Sequence, residues 1–307
     1  MFKHYFTSLL LPLLAAPVFG LDWTTDVEAA RAKAQAEGKA VLLDFTGSDW
    51  CSWCIKLRQE VFDTPQFEAY AKDKFVPVEV DLPRYHSISP ELMKQNVALC
   101  KKYRVTGFPT VIVLNEKGEL VGGFSGGRDN VDIVIRFLDA ALKNAALLKE
   151  ADAAEGEEQL RKLIEVHRNL GPGFRDIAPE LEARIMALDT QDISGLHRAK
   201  AAREELDRIS RAISDTPNPA DVLPLLRQAA ETGMPENRIC ILQWLEGVQL
   251  YVAQSPEDLD QAEATALRAV QLMKEQADPR AARTETSVRN RYRDKQDFFR
   301  RLKRNRS

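Results

Sequence analysis

The sequence has few of the residues that build a disulfide scaffold or a metal scaffold: four cysteines and four histidines among 307 residues. Four cysteines in so long a chain exclude a fold that disulfides hold together. No apolar run reaches the roughly 20 residues that a membrane-spanning helix needs. A hydrophobic content of 44% and a charged content of 29% are typical of a globular protein.

The first 20 residues, MFKHYFTSLLLPLLAAPVFG, have a different composition from the rest. Lys3 supplies a cationic start, an apolar run from Leu9 to Phe19 follows, and Val18 and Gly20 are small residues where a signal peptidase cleaves. This pattern predicts a cleaved secretory signal peptide at residues 1–20, with an uncleaved anchor as the alternative. We therefore expect a periplasmic or secreted protein.

Two of the four cysteines stand two residues apart in the stretch DFTGSDWCSWCIKLRQEVF. A structural zinc site usually takes four Cys or His ligands in two close pairs. The other cysteines, Cys100 and Cys240, stand alone, and the histidines are scattered. The sequence therefore predicts no metal site and no bound cofactor.

A redox pair fits the same stretch better. The β-rich run from Ala40 to Gly47 and a helix that begins near Ser52 place Cys51 at a helix N-terminus. Unpaired backbone N–H groups there favour a thiolate and lower the pKa of the thiol. Cys54 lies one turn deeper, so we expect Cys51 to attack substrate disulfides and Cys54 to resolve the mixed disulfide. The alternative is a closed structural disulfide.

The first half of the chain alternates helices and strands in the order α, β, α, β, α, β, β, α. Thr64 before Pro65 and Ser89 before Pro90 predict helix starts, and Thr25 with Glu28 has capping-box spacing. A hairpin turn at residues 116–118 joins the last two strands. The alternation predicts a parallel core with an antiparallel hairpin at its edge.

Two motifs in this half resemble the thioredoxin superfamily. WCSWC falls at a strand-to-helix junction, and YRVTGFPTVIVLNEKGELVGGFSG is similar to the family's stretch from its third helix through its last hairpin. The resemblance runs from about Asp22 to Leu148. It implies a thioredoxin-like α/β fold, with a central mixed sheet flanked by helices, in a domain at residues 21–148.

The resemblance also implies roles for particular residues. Asp44 matches the family's buried acid, which helps to move the proton of the resolving thiol, although the connector FTGSDW is one residue longer here. Pro109 matches a proline that follows a cis peptide bond against the cysteine pair. We expect Trp50, Trp53, Phe108 and Pro109 to form the substrate-binding surface, with Trp50 shielding the cysteines from water.

From residue 149 the strand signals disappear, and residues 149–279 predict an all-α helical domain. Trp244 and Tyr251 with Ala262, Ala266 and Ala269 look like part of a tetratricopeptide-type hairpin near residues 235–276. The alternative is an ordinary helical bundle. Cys100 and Cys240 are predicted either as buried thiols or as a bridge.

Residues 280–307 form a basic C-terminal tail with a net charge of +8, whereas the whole chain carries −3. It could be a solvated helix, a segment that contacts the acidic remainder of the chain, or a weak anchor on an anionic membrane face. Nucleic acid is excluded as a partner because the signal peptide directs the protein away from it.

Together these features predict an extracytoplasmic thiol–disulfide oxidoreductase that acts on protein thiols and disulfides and needs a redox partner protein. No histidine lies between the cysteines, so we expect a reductase or isomerase rather than a strong oxidant. The alternative is a non-catalytic binding module that retains a thioredoxin fold as a scaffold.

Overall fold

The computed structural model describes residues 21–304, without the side chains of residues 298–300 and 302–304. The chain forms two compact units, one ending at Thr190 and the other beginning at Gln191. The predicted signal peptide lies outside the described residues. Among the helices of residues 21–304, none is long and apolar enough to cross a bilayer.

A four-stranded sheet organises the first unit. Its strands are β1 (Ala40–Thr46), β2 (Phe75–Asp81), β3 (Thr110–Leu114) and β4 (Leu120–Ser125), in the spatial order β2-β1-β3-β4. Every residue of β1 is buried, as expected for a strand that is covered on both faces.

The predicted parallel core is wrong for β3. Strands β1 and β2 are parallel, but β3 is antiparallel to β1 and to β4. Alternation of strands and helices predicts crossovers without fixing the end from which each strand enters the sheet. After the helix that follows β2, the segment at residues 103–109 leads the chain into the sheet from the opposite end.

Eight helices flank this sheet or extend from it in the described part of the first unit. They are α1 (Val27–Glu37), α2 (Ser52–Leu57), α3 (Pro65–Ala71), α4 (Pro90–Lys102), α5 (Val131–Ala153), α6 (Gly156–Asn169), α7 (Pro172–Arg175) and α8 (Pro179–Leu188). A π-helical turn, Arg58–Phe62, continues α2.

Side-chain caps begin several of these helices. Thr64 caps α3 and Ser89 caps α4, each with proline in the first turn, as the sequence predicts. The predicted cap of α1 at Thr25 is wrong, because Asp26 accepts the N–H of Ala29 instead. A carboxylate is a stronger acceptor than a hydroxyl at the positive end of a helix.

The first unit extends past the predicted domain boundary at residue 148. Helix α5 buries Val134, Leu138, Ala141 and Leu148 along one face, with the spacing of an amphipathic helix. The buried Asn144 amide donates to the carbonyl of Val121 in β4 and accepts from the amide of Asn169 in α6. These bonds attach α6 to α5 and, through α5, to the sheet.

The second unit is helical throughout its described length. Its α-helices are α9 (Leu196–Asp215), α10 (Leu223–Thr232), α11 (Arg238–Val252), α12 (Pro256–Glu275) and α13 (Ala281–Arg304). One core cluster joins α9 through α12, and a second joins α12 with α13.

The predicted hairpin corresponds to α11 and α12. Ala262, Ala266 and Ala269 are buried in α12, and Trp244 packs against the first core cluster. Tyr251, in contrast, is 77% exposed. The tetratricopeptide relationship stays a prediction.

The basic segment begins as a packed helix. Val288 and Tyr292 of α13 are buried against Leu259 and Ala262 of α12. The Tyr292 hydroxyl donates to the Glu246 carboxylate at 2.5 Å. Phe299 and Leu302 are the other large apolar residues near the end of this segment, and their side chains lie outside the described part of the structure. The N-terminal half of this segment is therefore part of the helical core.

Candidate functional site

The two paired cysteines lie where β1 leads into α2. Cys51 is the N-cap of α2, its sulfur accepts the Cys54 backbone N–H at 3.3 Å, and the two residues form a disulfide. Their exposed fractions are 8% and 3%. The two-residue spacing brings the Cα atoms to 5.2 Å, within the range that a disulfide requires. Cys51 is thus the more accessible of two well-shielded sulfurs.

Trp50 is fixed on several sides next to this pair. Its indole N–H donates to the Leu82 carbonyl at 2.8 Å, and the Arg84 guanidinium lies 3.8 Å from its ring centroid. The ring meets Phe108 edge-on, with centroids 5.7 Å apart. A Cβ at Gly47 would come within 2.4 Å of the indole, so glycine is required for this approach.

Asp49 fastens the loop that follows β2. Its carboxylate accepts the backbone N–H groups of Arg84, Tyr85 and His86 and contacts the His86 ring at 3.0 Å. Desolvation acts against ionisation, but these hydrogen bonds outweigh it and lower the pKa of Asp49 to about 2. The carboxylate therefore holds Arg84 in place over Trp50.

Trp53, between the cysteines, presents a different environment. It is 51% exposed and lies so close to Gly127 that a Cβ there would meet its ring at 2.3 Å. The Lys56 ammonium lies 5.4 Å from the ring centroid and pairs with Asp129 at 2.8 Å. An exposed, supported aromatic face is suited to contact with another polypeptide.

The segment before β3 carries the second predicted motif. The Phe108–Pro109 peptide bond is cis. The Pro109 carbonyl accepts the Gly126 backbone N–H at 2.9 Å, and the Thr110 hydroxyl donates to the Gly107 carbonyl at 2.9 Å. These bonds hold the segment against the start of β3, and Phe108 contacts Trp50.

Asp44 is buried in the middle of β1, with only 2% exposure. Among residues 21–304, its Oδ1 atom has no hydrogen-bond partner. Burial raises the pKa of its carboxyl to about 7, the Arg58 guanidinium opposes this rise, and the carboxylates of Glu79 and Asp81 add to it. A carboxyl group of this kind can gain and lose a proton near neutral pH.

Arg58 is the cation that faces Asp44. Its Nη2 atom lies 3.8 Å from Asp44 Oδ2, it pairs with Glu79, and its guanidinium lies 4.0 Å from the Trp23 ring centroid. Asp44 and Glu79 are register partners in β1 and β2, so their side chains share one face of the sheet.

Arg58, Glu79 and Asp49 were not predicted as site residues from the sequence. The sequence held two hints of their roles. Arg58 lies one turn after Cys54, and Asp49 directly precedes Trp50. Both partnerships join segments more than 20 residues apart, so local spacing could not predict them.

The remaining cysteines are free thiols. Cys100 and Cys240 are both half-buried, and burial raises the pKa of both, that of Cys100 to about 11. Within residues 21–304, no group of three or more His, Cys, Asp or Glu side chains could hold a metal ion.

The predicted site residues thus come from three places in the fold. Asp44 lies in β1, Phe108 and Pro109 precede β3, and the others lie at the loop and start of α2: Trp50, Cys51, Trp53 and Cys54. The contact between Trp50 and Phe108 joins the second and third of these places.

Comparison with known proteins agrees with this arrangement. The family described as "Thioredoxin-like domain" matches residues 27–141. A disulfide bond reductase, DsbH of Chlamydia pneumoniae, is 35% identical over 118 residues, which cover 38% of this chain and 69% of DsbH. The chain belongs to the thioredoxin-like family.

Other relatives are matched over smaller parts of their length. The thioredoxin-related protein DsbJ of Chlamydia pneumoniae is 32% identical over 36% of this chain and 33% of its own. The thiol:disulfide interchange protein DsbD of Klebsiella pneumoniae is 32% identical over 39% of this chain and 17% of its own.

Among solved structures, the DsbH oxidoreductase aligns with 28% identity and a TM-score of 0.37, over 46% of this chain and 95% of that one. The sequence relatives, together with the Cys51–Cys54 disulfide, support a thiol–disulfide oxidoreductase of the thioredoxin-like family. The family match, at residues 27–141, ends before the second unit, which begins at Gln191.

Proposed function

We propose that this protein is an extracytoplasmic thiol–disulfide oxidoreductase that reduces or isomerises disulfides in other proteins. The observation that carries the proposal is the Cys51–Cys54 disulfide at the start of α2, on the connection that leaves the strand with the buried Asp44. The relatives are named for disulfide bond reduction and thiol:disulfide interchange, which supports the same chemistry. The N-terminal sequence supports an extracytoplasmic location.

In the proposed reaction, the reduced Cys51 thiolate attacks one sulfur of a substrate disulfide. A mixed disulfide forms, and the other substrate sulfur leaves as a thiolate. Cys54 then gives its proton to Asp44 and attacks the Cys51 sulfur, which closes the Cys51–Cys54 bond and releases the second substrate thiolate. A partner protein with a dithiol supplies two electrons to reopen the bond.

The aromatic residues around the cysteines are proposed to receive the substrate. Trp53 is half-exposed, and the rings of Trp50 and Phe108 are in edge-on contact with each other. The Phe108–Pro109 segment is proposed to offer backbone groups to an extended substrate chain. A half-exposed indole and backbone hydrogen-bonding groups can bind substrate chains of many sequences, which suits an enzyme that acts on several proteins.

The proposal predicts an asymmetry between the cysteines. In the reduced full-length protein, iodoacetamide at mildly acidic pH should label Cys51 before Cys54, because Cys51 is the more accessible thiol and caps a helix. Cys54→Ala should trap mixed disulfides with extracytoplasmic proteins, and Cys51→Ser should reduce insulin disulfides no faster than dithiothreitol alone does. Mass spectrometry and a turbidity assay measure these outcomes.

Cys100→Ser and Cys240→Ser are matched controls, because each removes a free thiol whose pKa is raised. Both should retain full exchange activity. Full activity of Cys51→Ser would contradict the role of Cys51 as the attacking thiol. If the wild-type protein also reduces insulin no faster than dithiothreitol alone, the binding module is the surviving account. Equilibration with a redox buffer gives the reduction potential of the Cys51–Cys54 pair and so tests the direction of electron flow. A potential of about −270 mV supports a reductase, and one of about −120 mV supports an oxidant.

A further inference from the structure

Asp44 is surrounded by charges that act on it in opposite directions. Arg58 approaches from the turn after α2, while Glu79 and Asp81 belong to the neighbouring strand β2. On the other side of β1, the register partner of Asp44 in β3 is Val111, which is apolar. These three charged groups therefore account for the electrostatic environment of Asp44 apart from the cysteine pair itself.

Arg58 is not free to move toward Asp44. Its guanidinium is paired with Glu79 and lies against the Trp23 and Phe62 rings, 4.0 and 5.8 Å from their centroids. These contacts keep Nη2 at 3.8 Å from Asp44 Oδ2, beyond hydrogen-bond distance. The cation thus acts on Asp44 through space, while Glu79 neutralises part of its charge.

We propose that Arg58 is a positioning residue for the exchange reaction: it keeps Asp44 able to accept a proton at neutral pH, and Glu79 limits how strongly it does so. This proposal rests on the proposed function. Asp44 can take the Cys54 proton only when its carboxyl is ionised. Arg58 must therefore offset the burial and the two neighbouring carboxylates that would otherwise keep Asp44 protonated.

Removing the charge of Arg58 and removing that of Glu79 should have opposite effects on the pH at which Asp44 loses its proton. Without the Arg58 charge, Asp44 should hold its proton to higher pH and fail to accept another from Cys54. Without the Glu79 charge, Arg58 should act more strongly, and Asp44 should lose its proton at lower pH. A purely structural contribution of this ion pair would damage both variants in the same way, so the sign of the change is informative.

The first measurement follows the Asp44 carboxyl directly. Full-length, oxidised protein with ¹³C-labelled aspartate is titrated between pH 5 and 10, and the Asp44 signal is assigned with Asp44→Asn. We expect Arg58→Met to raise the midpoint by roughly 1–3 pH units, the usual effect of removing an adjacent opposite charge. Glu79→Gln should lower it by a smaller amount, and Arg58→Lys should stay near wild type.

The second measurement is the pH profile of insulin reduction with dithiothreitol as electron donor. The rising limb of the rate should move in the same direction as the carboxyl midpoint in each variant. Arg58→Met keeps an aliphatic stem against Trp23. Lys74→Met is the matched control, because it also removes a cation that lies over an aromatic ring, Tyr70, at 4.2 Å. It should change neither profile.

The proposal is overturned if Arg58→Met and Glu79→Gln move the carboxyl midpoint in the same direction, or if neither moves it. It is also overturned if the midpoints shift as expected while the rate profiles stay fixed. Absence of insulin reduction by the wild-type protein would instead contradict the proposed function, because the carboxyl titration of the oxidised protein does not depend on activity.

Discussion

Asp44 in the first unit and Glu246 in the second are both buried carboxylates, with exposed fractions of 2% and 8%. Oε1 of Glu246 has two partners, since the Tyr292 hydroxyl donates to it and Arg291 pairs with it at 2.9 Å. Asp44 leaves Oδ1 without a partner and keeps its nearest cation at 3.8 Å. A buried acid with partners joins helices, whereas one without them remains available for proton transfer.

The two units also differ in what their sequences reveal. In the first, Thr64 and Ser89 predict helix starts, and WCSWC and the proline motif predict the fold and most of the candidate site. In the second, the sequence predicts the helices and the hairpin of α11 and α12, but not the packing of α13 on α12. Tyr292 lies in a segment with a charge of +8, so its burial could not be predicted from composition.

Three of the features that the sequence did not predict share one physical cause. The antiparallel direction of β3, the Arg58–Glu79 pair and the attachment of residues 84–86 to Asp49 all depend on how distant segments meet. Local spacing reports on one helix or one strand at a time. The cap of α1 was not predicted for a different reason. Thr25 and Asp26 are adjacent and both could accept the first N–H groups of the helix, and the carboxylate of Asp26 does so.

The largest expected effect on stability concerns Glu246 and its partner Tyr292. Tyr292→Ala removes a fully buried ring and leaves Glu246 with one partner fewer, so it should destabilise the helical unit by about 3–5 kcal/mol. Tyr292→Phe removes only the hydroxyl and should cost about 1–3 kcal/mol. Urea unfolding followed by circular dichroism measures both.

Tyr251→Ala is the matched control in the same unit, because that tyrosine is 77% exposed. It should change the free energy of unfolding by less than about 0.5 kcal/mol. Equal effects of Tyr251→Ala and Tyr292→Ala would show that α13 does not pack as described and would remove the structural side of the comparison.

Asp44→Asn should change the free energy of unfolding in the opposite direction to Tyr292→Ala, because it should stabilise the first unit. Below pH 3.8 both the folded and the unfolded chain hold the Asp44 proton. Between 3.8 and about 7 the unfolded chain releases it while the folded chain retains it, so wild-type stability falls as pH rises. One pKa unit corresponds to about 1.4 kcal/mol, so the variant should gain up to about 4 kcal/mol at pH 8.

This gain should disappear at pH 3.5, and exchange activity should fall at every pH because the proton acceptor is lost. Urea unfolding at the two pH values checks the stability. A variant that is less stable than wild type at pH 8 would show that Asp44 is engaged like Glu246. The distinction between the two carboxylates would then fail.

The smallest expected effect concerns the surface of α13. Because Tyr292 is buried, only charge is left in this part of the helix to attract an anionic membrane, at about 1 kcal/mol per basic residue. Reversing the exposed Arg293 and Lys295 to Glu should weaken co-sedimentation with anionic vesicles. Reversing the exposed Lys143 and Arg161 is the control, and equal losses would contradict a membrane role for α13.

The attachment of residues 84–86 to Asp49 has a consequence for every one of these titrations. The low pKa of Asp49, about 2, means that its carboxylate stays charged throughout the range in which activity and stability would be measured. The backbone N–H groups that it accepts do not titrate. The hydrogen bonds from the Arg84 and Tyr85 backbone to the Asp49 carboxylate are therefore retained from pH 4 to pH 9.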